Sequence, residues 1–175
     1  MKAFVFSFLV CVFTLNTLMA QDSIPPKFAK KNNFSGFHVG GTTGIGFSYR
    51  HEFGKFGIQL SGLPTGEKRN YTILGGLQLM YRFYSSPNEA VNLFTYLGNS
   101  FIYNKCYDCI CYCNDFQPPN PYVSLFQWNA GIGTGMDIRL SNILSLEVLL
   151  GYGIYDFTDW YRFNVDGGLG IFFRF

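Results

Sequence analysis

The sequence predicts an all-β fold, an antiparallel transmembrane β-barrel of eight strands, seven of which read directly from the pattern. Three observations carry that prediction. From residue 44 onward apolar and polar residues alternate, the period-two signature of strands with two unlike faces. The alternating runs are long, whereas sandwich strands usually span about 5 or 6 residues. Glycine crowds the polar positions, as a narrow lumen requires, and aromatic residues gather toward strand ends, as at a membrane interface. A soluble sandwich would turn the apolar face inward and wet the polar one. A membrane barrel reverses this, with lipid outside and polar residues within.

Composition agrees. The chain has 20 Phe, 12 Tyr and 20 Gly, is 19% aromatic and only 14% charged, which suits pleated sheet better than helix. A net charge of +2 argues against a nucleic-acid partner.

Residues 1–20 form a separable unit. Lys2 is a minimal basic region, Ala3 to Val12 is apolar, and Leu18-Met19-Ala20 offers a small residue before Gln21, the layout of a cleaved signal peptide. Thr14, Asn16 and Thr17 interrupt the run too early for a spanning helix, and Phe8-Leu9-Val10 is a poor approach to a lipidated Cys11. Residues 21–36 carry Pro-Pro, lysines and asparagines and read as an N-terminal linker, leaving 37–175 for the barrel.

The last strand has the cleanest pattern. Tyr161, Phe163, Val165, Leu169, Ile171, Phe173 and Phe175 share one face, and Arg162, Asn164, Asp166, Gly168, Gly170, Phe172 and Arg174 the other. Runs 126–140, 143–155, 71–84, 44–53 and 56–62 alternate in the same way. Residues 92–103 are extended, but Thr95, Tyr96, Asn99 and Ser100 blur the assignment of faces. One predicted girdle holds Phe126, Trp128, Tyr122, Tyr155, Trp160 and Tyr161, and the other Phe53, Tyr81, Phe83, Phe173 and Phe175.

Connections alternate between short (53–56, 85–89, 141–142) and longer (63–70, 104–121, 156–160), matching periplasmic turns and extracellular loops. An even strand count then requires an ascending strand before residue 44. The one candidate is the short "FSGFHVGG", Phe34 to Gly41, turning at Thr42-Thr43.

The most specific motif is Gly170-x-x-Phe173-x-Phe175. It resembles the β-signal of Gram-negative outer-membrane proteins, in which a glycine, a hydrophobic residue and a terminal aromatic fall at this spacing. With the export signal and strand pattern, residues 37–175 resemble small outer-membrane barrels in the general style of those from Bacteroidota. That resemblance implies residence in the outer membrane, lipid as the surrounding partner, and the barrel-assembly machinery as the reader of Gly170, Phe173 and Phe175. It implies no particular activity, because small barrels host many.

"CYDCICYC" puts Cys106, Cys109, Cys111 and Cys113 on the longest extracellular loop. Two disulfides are the first expectation for four thiols in an oxidising compartment, a soft-metal site the second, and free or redox-active thiols the third. With the stiff Pro118-Pro119-Asn120-Pro121 segment, residues 104–121 form a display for an extracellular partner. On the polar faces, Arg50, Glu52, Arg82, Asp137, Arg139, Glu147, Arg162, Asp166 and Arg174 are expected to pair as a lumen charge network. His38 and His51 are read as interfacial residues. Ser48 points away from His51, so the pair offers no nucleophile–base geometry and no enzyme is expected. No cofactor is expected. The leading functional expectation is a structural or surface-interaction protein. A narrow channel or transporter for small solutes and a loop-borne metal binder are the alternatives.

Overall fold

A computed structural model describes residues 31–67, 70–107, 122–157 and 161–175. The chain forms eight antiparallel strands: β1 (Asn33–Gly40), β2 (Gly44–Phe53), β3 (Phe56–Gly66), β4 (Tyr71–Ser85), β5 (Val91–Tyr107), β6 (Tyr122–Arg139), β7 (Leu144–Tyr155) and β8 (Arg162–Arg174). Each pairs with the next, and β1 pairs with β8 from Phe34↔Arg174 to Gly40↔Gly168, closing the barrel. The eighth strand demanded by parity therefore exists. It begins at Asn33, inside the stretch read as linker 21–36, because its first residues complete the seam with β8.

One end of the barrel carries the short turns. Gly54, at φ 69°, takes the positive φ that a two-residue hairpin loop needs at its first position. The start of β1 and the end of β8 lie at this end, where Phe175 N–H donates to the Asn33 carbonyl at 2.9 Å. The opposite end carries the β1–β2 turn, the longer connections and the tips of β5 and β6.

The wall sorts residues by strand parity. Phe47, Leu60, Leu97, Ile132, Leu150, Val165 and Ile171 lie on an apolar outer surface, and Phe47 and Phe163 are more than 70% exposed. The buried set is the inverse: polar and charged side chains dominate it, joined by Phe34, Met80, Phe94, Tyr96, Leu149 and Phe172. On β5 the ambiguous faces resolve, with Asn92, Phe94, Tyr96 and Ser100 inside and Leu97 and Phe101 outside. A bulge between Arg82 and Tyr84 lets both Phe83 and Tyr84 face outward.

Exposed Phe126, Trp128 and Tyr161 form one aromatic girdle, and Phe53, Tyr81, Phe83, Phe173 and Phe175 the other. Tyr155 departs from expectation: its hydroxyl turns inward and donates to Asp166 Oδ1 at 2.8 Å. The Tyr122 side chain and Trp160 lie outside the described residues.

The β1–β2 turn does not project from the rim. It folds into the lumen, where Thr42 and Thr43 are buried. Ser100 Oγ donates to the Gly41 carbonyl at 2.8 Å, and Thr42 Oγ1 donates to Asp166. This tuck explains much of the interior glycine. A Cβ on Gly98 would lie 2.8 Å from the Thr42 carbonyl oxygen, and one on Gly131 would lie 2.8 Å from Thr42 Cβ. Gly44, at φ 91°, approaches Gly76 so closely that either Cβ would meet backbone. Gly167 faces no such constraint, since its Cβ would come no nearer than 3.6 Å to the Leu149 carbonyl oxygen.

Replacing Gly131 by Val should therefore overpack the turn and lower stability by about 1–3 kcal/mol. Gly167→Ala should change it by less than about 0.5 kcal/mol. Urea titration of the folded protein, followed by tryptophan fluorescence, checks both.

Candidate functional site

The candidate site is the barrel interior, where inward parity brings together charges from strands far apart in sequence. Arg50 on β2 is fully buried. Its Nη2 pairs with Glu147 on β7, its Nε donates to Gln59 Oε1 at 2.9 Å, and its Nη1 lies 3.8 Å from Asp137 Oδ1 on β6. The guanidinium also stacks over Phe172, 4.3 Å from the ring centre, and 5.3 Å from that of Phe34. A buried guanidinium without such partners would be strongly unfavourable.

His38 on β1 joins this centre. Its Nδ1 lies 3.1 Å from Glu147 Oε1 and its Nε2 lies 2.6 Å from Thr43 Oγ1 in the tucked turn. The expectation that His38 sits at an interface is therefore wrong. Even-numbered parity on β1 turns it inward with Phe34 and Gly40, and its burial is complete. The order Thr43–His38–Glu147 has the connectivity of a nucleophile, base and orienting acid. All three side chains are buried, however, with Glu147 also engaged by Arg50, so no substrate atom reaches the hydroxyl in this arrangement. His51 does lie on the outer surface, 2.8 Å from Asn33 Oδ1, and Ser48 bonds instead to Ser61 in the interior at 2.7 Å.

Above this centre, toward the long-loop end, Asp166 anchors the turn. It accepts from the Thr42 hydroxyl, from Thr42 N–H at 3.3 Å, from Tyr155 and from Tyr96 Oη at 3.4 Å. Below it, toward the short-turn end, Arg82 pairs with Glu52, and Arg139 Nη1 donates to Glu89 Oε2 at 2.6 Å. Arg174 closes this lower layer, with its Cζ 5.2 Å from the Phe34 ring centre. A cleft of about 10 Å³, room for a single water, opens here beside Glu52, Arg82, Asn92 and Asp137.

Eight of the nine residues expected in the lumen network thus lie inside the barrel. Arg162 does not join them. It stands exposed at the outer end of β8, beyond the wall that would enclose it. Sequence reasoning missed Glu89, supplied by a turn, and the interior aromatics Phe34 and Tyr96, whereas Phe172 lies on the inward face that alternation gave it. Gly170 faces inward beside Phe172 and His38, while Phe173 and Phe175 are exposed outside.

Cys106 lies in β5, where its backbone pairs with Val123, but its side chain and Cys109, Cys111 and Cys113 lie outside the described residues. Among the described residues no group of three or more His, Cys, Asp or Glu side chains is arranged to hold a metal ion. No helix long and apolar enough to cross a membrane occurs among the described residues, which does not bear on crossing by strands.

The fold and interior together define a closed eight-stranded antiparallel barrel with a filled polar lumen and an apolar exterior. No family model matches the sequence, and no curated protein does either. Among solved structures, the chain is similar to the N-terminal β-barrel domain of Pseudomonas aeruginosa OprF. The TM-score is 0.47 at 14% identity, covering 82% of this chain and 96% of that one. It is also similar to Ail, the attachment invasion locus protein of Yersinia pestis, with a TM-score of 0.46 at 16% identity, covering 83% of this chain and all of that one.

Removing one side of the central pair should be far worse than removing both. Arg50→Met is expected to destabilise the barrel by about 3–5 kcal/mol by stranding Glu147. The double variant Arg50→Met/Glu147→Gln should recover much of that loss. A double-mutant cycle in urea reads the coupling directly.

Proposed function

We propose that this protein is an integral outer-membrane β-barrel with a structural or surface-interaction role. One observation carries the reading: the polarity of the wall is inverted relative to a soluble protein. A continuous surface of Phe, Leu, Ile, Val and Tyr faces outward while arginine, glutamate, aspartate and glutamine are buried. Water would not tolerate an apolar exterior of that extent on a monomer, whereas lipid requires it. The aromatic girdles at both ends supply interfacial anchors.

On this reading the short-turn end faces the periplasm, and residues 104–121 reach the exterior with their four cysteines. The barrel holds that loop at the surface for an external partner. Gly170, Phe173 and Phe175 act as the insertion signal, the alternate Phe173 and Phe175 being outward and available to lipid-side pockets while the strand edge pairs during assembly. The filled lumen supports anchoring over conduction: the tucked turn and the Arg50–Glu147 layer occupy the path along which a solute would pass.

Three experiments test this. Membrane-purified protein should migrate differently on gels before and after boiling, and recovery in the soluble fraction without a shift would contradict the reading. Deletion of Phe175 should leave export intact and lower the heat-modifiable fraction. In planar bilayers no discrete openings are expected, and openings abolished by substituting Arg82 or Glu147 would replace the anchor with a channel.

A further inference from the structure

The lower mouth of the barrel holds a buried guanidinium, that of Arg174, with no hydrogen-bond partner among the described residues. Phe172, Arg50, Phe34 and Arg174 succeed one another as rings and guanidinium groups. Arg50, within this series, donates from Nε to Gln59 and pairs through Nη2 with Glu147, while its Nη1 faces Asp137 without a hydrogen bond. Arg174 ends it at the mouth. Its exposure is only 2%, yet none of its three guanidinium nitrogens has a hydrogen-bond partner among the described residues. A ring engages the face of a guanidinium and leaves its in-plane N–H groups unused. Buried donors of this kind are costly unless something accepts from them.

The neighbouring inward positions add donors. Register sets Arg139 on β6 directly beside Ser145 on β7, and Arg174 N–H bonds to the carbonyl of Ile143, two residues before Ser145. Arg139 Nε and Ser145 Oγ are likewise buried without partners among the described residues. Three of the local acids are paired, Glu52 with Arg82, Glu89 with Arg139 and Glu147 with Arg50 and His38, while Asp137 Oδ1 lies 3.8 Å from Arg50 Nη1 without a hydrogen bond. Lys31 adds a further positive charge at the rim, its Nζ donating to the Arg174 carbonyl at 3.0 Å.

We infer that Arg174, with Arg139 and Ser145, forms a binding site for a small oxyanion, a carboxylate or phosphate group, at the short-turn mouth of the barrel. A planar guanidinium fork flanked by a hydroxyl and a second guanidinium suits two or three oxygens on one centre. The donors face the lumen and not the outer wall, so the ligand is a free anion and not the headgroup of a surrounding lipid. The inference is independent of any role for the 104–121 loop.

The test uses full-length protein folded in a phosphate-free non-ionic detergent, with inorganic phosphate and acetate as probes. Titration should shift the Arg174 Nε–Hε resonance saturably. Calorimetric affinity should fall by about tenfold or more in Arg174→Gln, and less in Arg174→Lys, which keeps charge but loses the fork. Arg162→Gln, at the opposite end, should bind as the unmodified protein does. Vesicles containing phosphatidylglycerol, without free phosphate, should leave the Arg174 resonance unmoved. An Arg174 resonance insensitive to both anions would overturn the site, as would undiminished affinity in a folded Arg174→Gln protein. So would a resonance that responds to Asp137→Asn but not to phosphate, since Arg174 would then belong to an internal ion pair.

Discussion

The contact between Arg50 and Glu147 joins strands β2 and β7, which are separated by four intervening strands along the sheet in one direction and by β1 and β8 in the other. Neither charge survives inside a low-dielectric barrel alone. The pair therefore holds the interior to one arrangement, and the rest follows from it. Gln59 and Asp137 orient the guanidinium edges, and Phe172 and Phe34 cover its faces. His38 extends the carboxylate toward the turn, so that the lumen and the loop end share one connected set of polar contacts.

The tucked turn is the second constraint. Gly41, Thr42 and Thr43 enter a space lined by Gly76, Gly98, Gly131 and Gly153, each of which would bring a Cβ against the turn. Asp166 and Ser100 bind it from opposite parts of the wall, and Thr43 ties it to His38. The interior is thus graded along the barrel axis. A glycine-lined pocket filled by chain lies at one end, an ion-pair centre in the middle, and a charged mouth with a small cleft at the other. With the charged side chains gathered inside, the outer wall is free to be apolar throughout.

Much of this was legible in the sequence because a period of two leaves little freedom: once Leu169, Ile171 and Phe173 are assigned outward, Asp166, Gly170 and Arg174 must face in. The eighth strand was legible by count, since closure needed an ascending partner for Gly44–Phe53. Its start at Asn33 was not, because Asn32 and Asn33 resemble linker. His38 was misplaced although it shares parity with Gly36 and Gly40, a signal that a polar residue between Phe37 and Val39 carried all along. Phe172 follows the inward parity of Gly170 and Arg174, whereas Phe34 and Tyr96 were not readable as interior residues, because an aromatic at these positions fits the lipid side equally well until its interior partners are known. Arg162 alternates correctly but lies past the wall, and nothing in "GGTTG" announces a turn that folds inward. The reason for the lumen glycines became visible only with the register that sets them at one level.

One barrel wall separates lipid from the polar interior. Spin labels placed singly at 164–171 along β8, in protein reconstituted into vesicles with native cysteines replaced, test it most directly. Oxygen and a water-soluble nickel chelate serve as the two relaxation probes. Val165, Leu169 and Ile171 should be accessible to oxygen and shielded from the chelate, whereas Asp166 and Gly170 should be shielded from both. Chelate access at the outward positions, or oxygen access without alternation, would contradict the account.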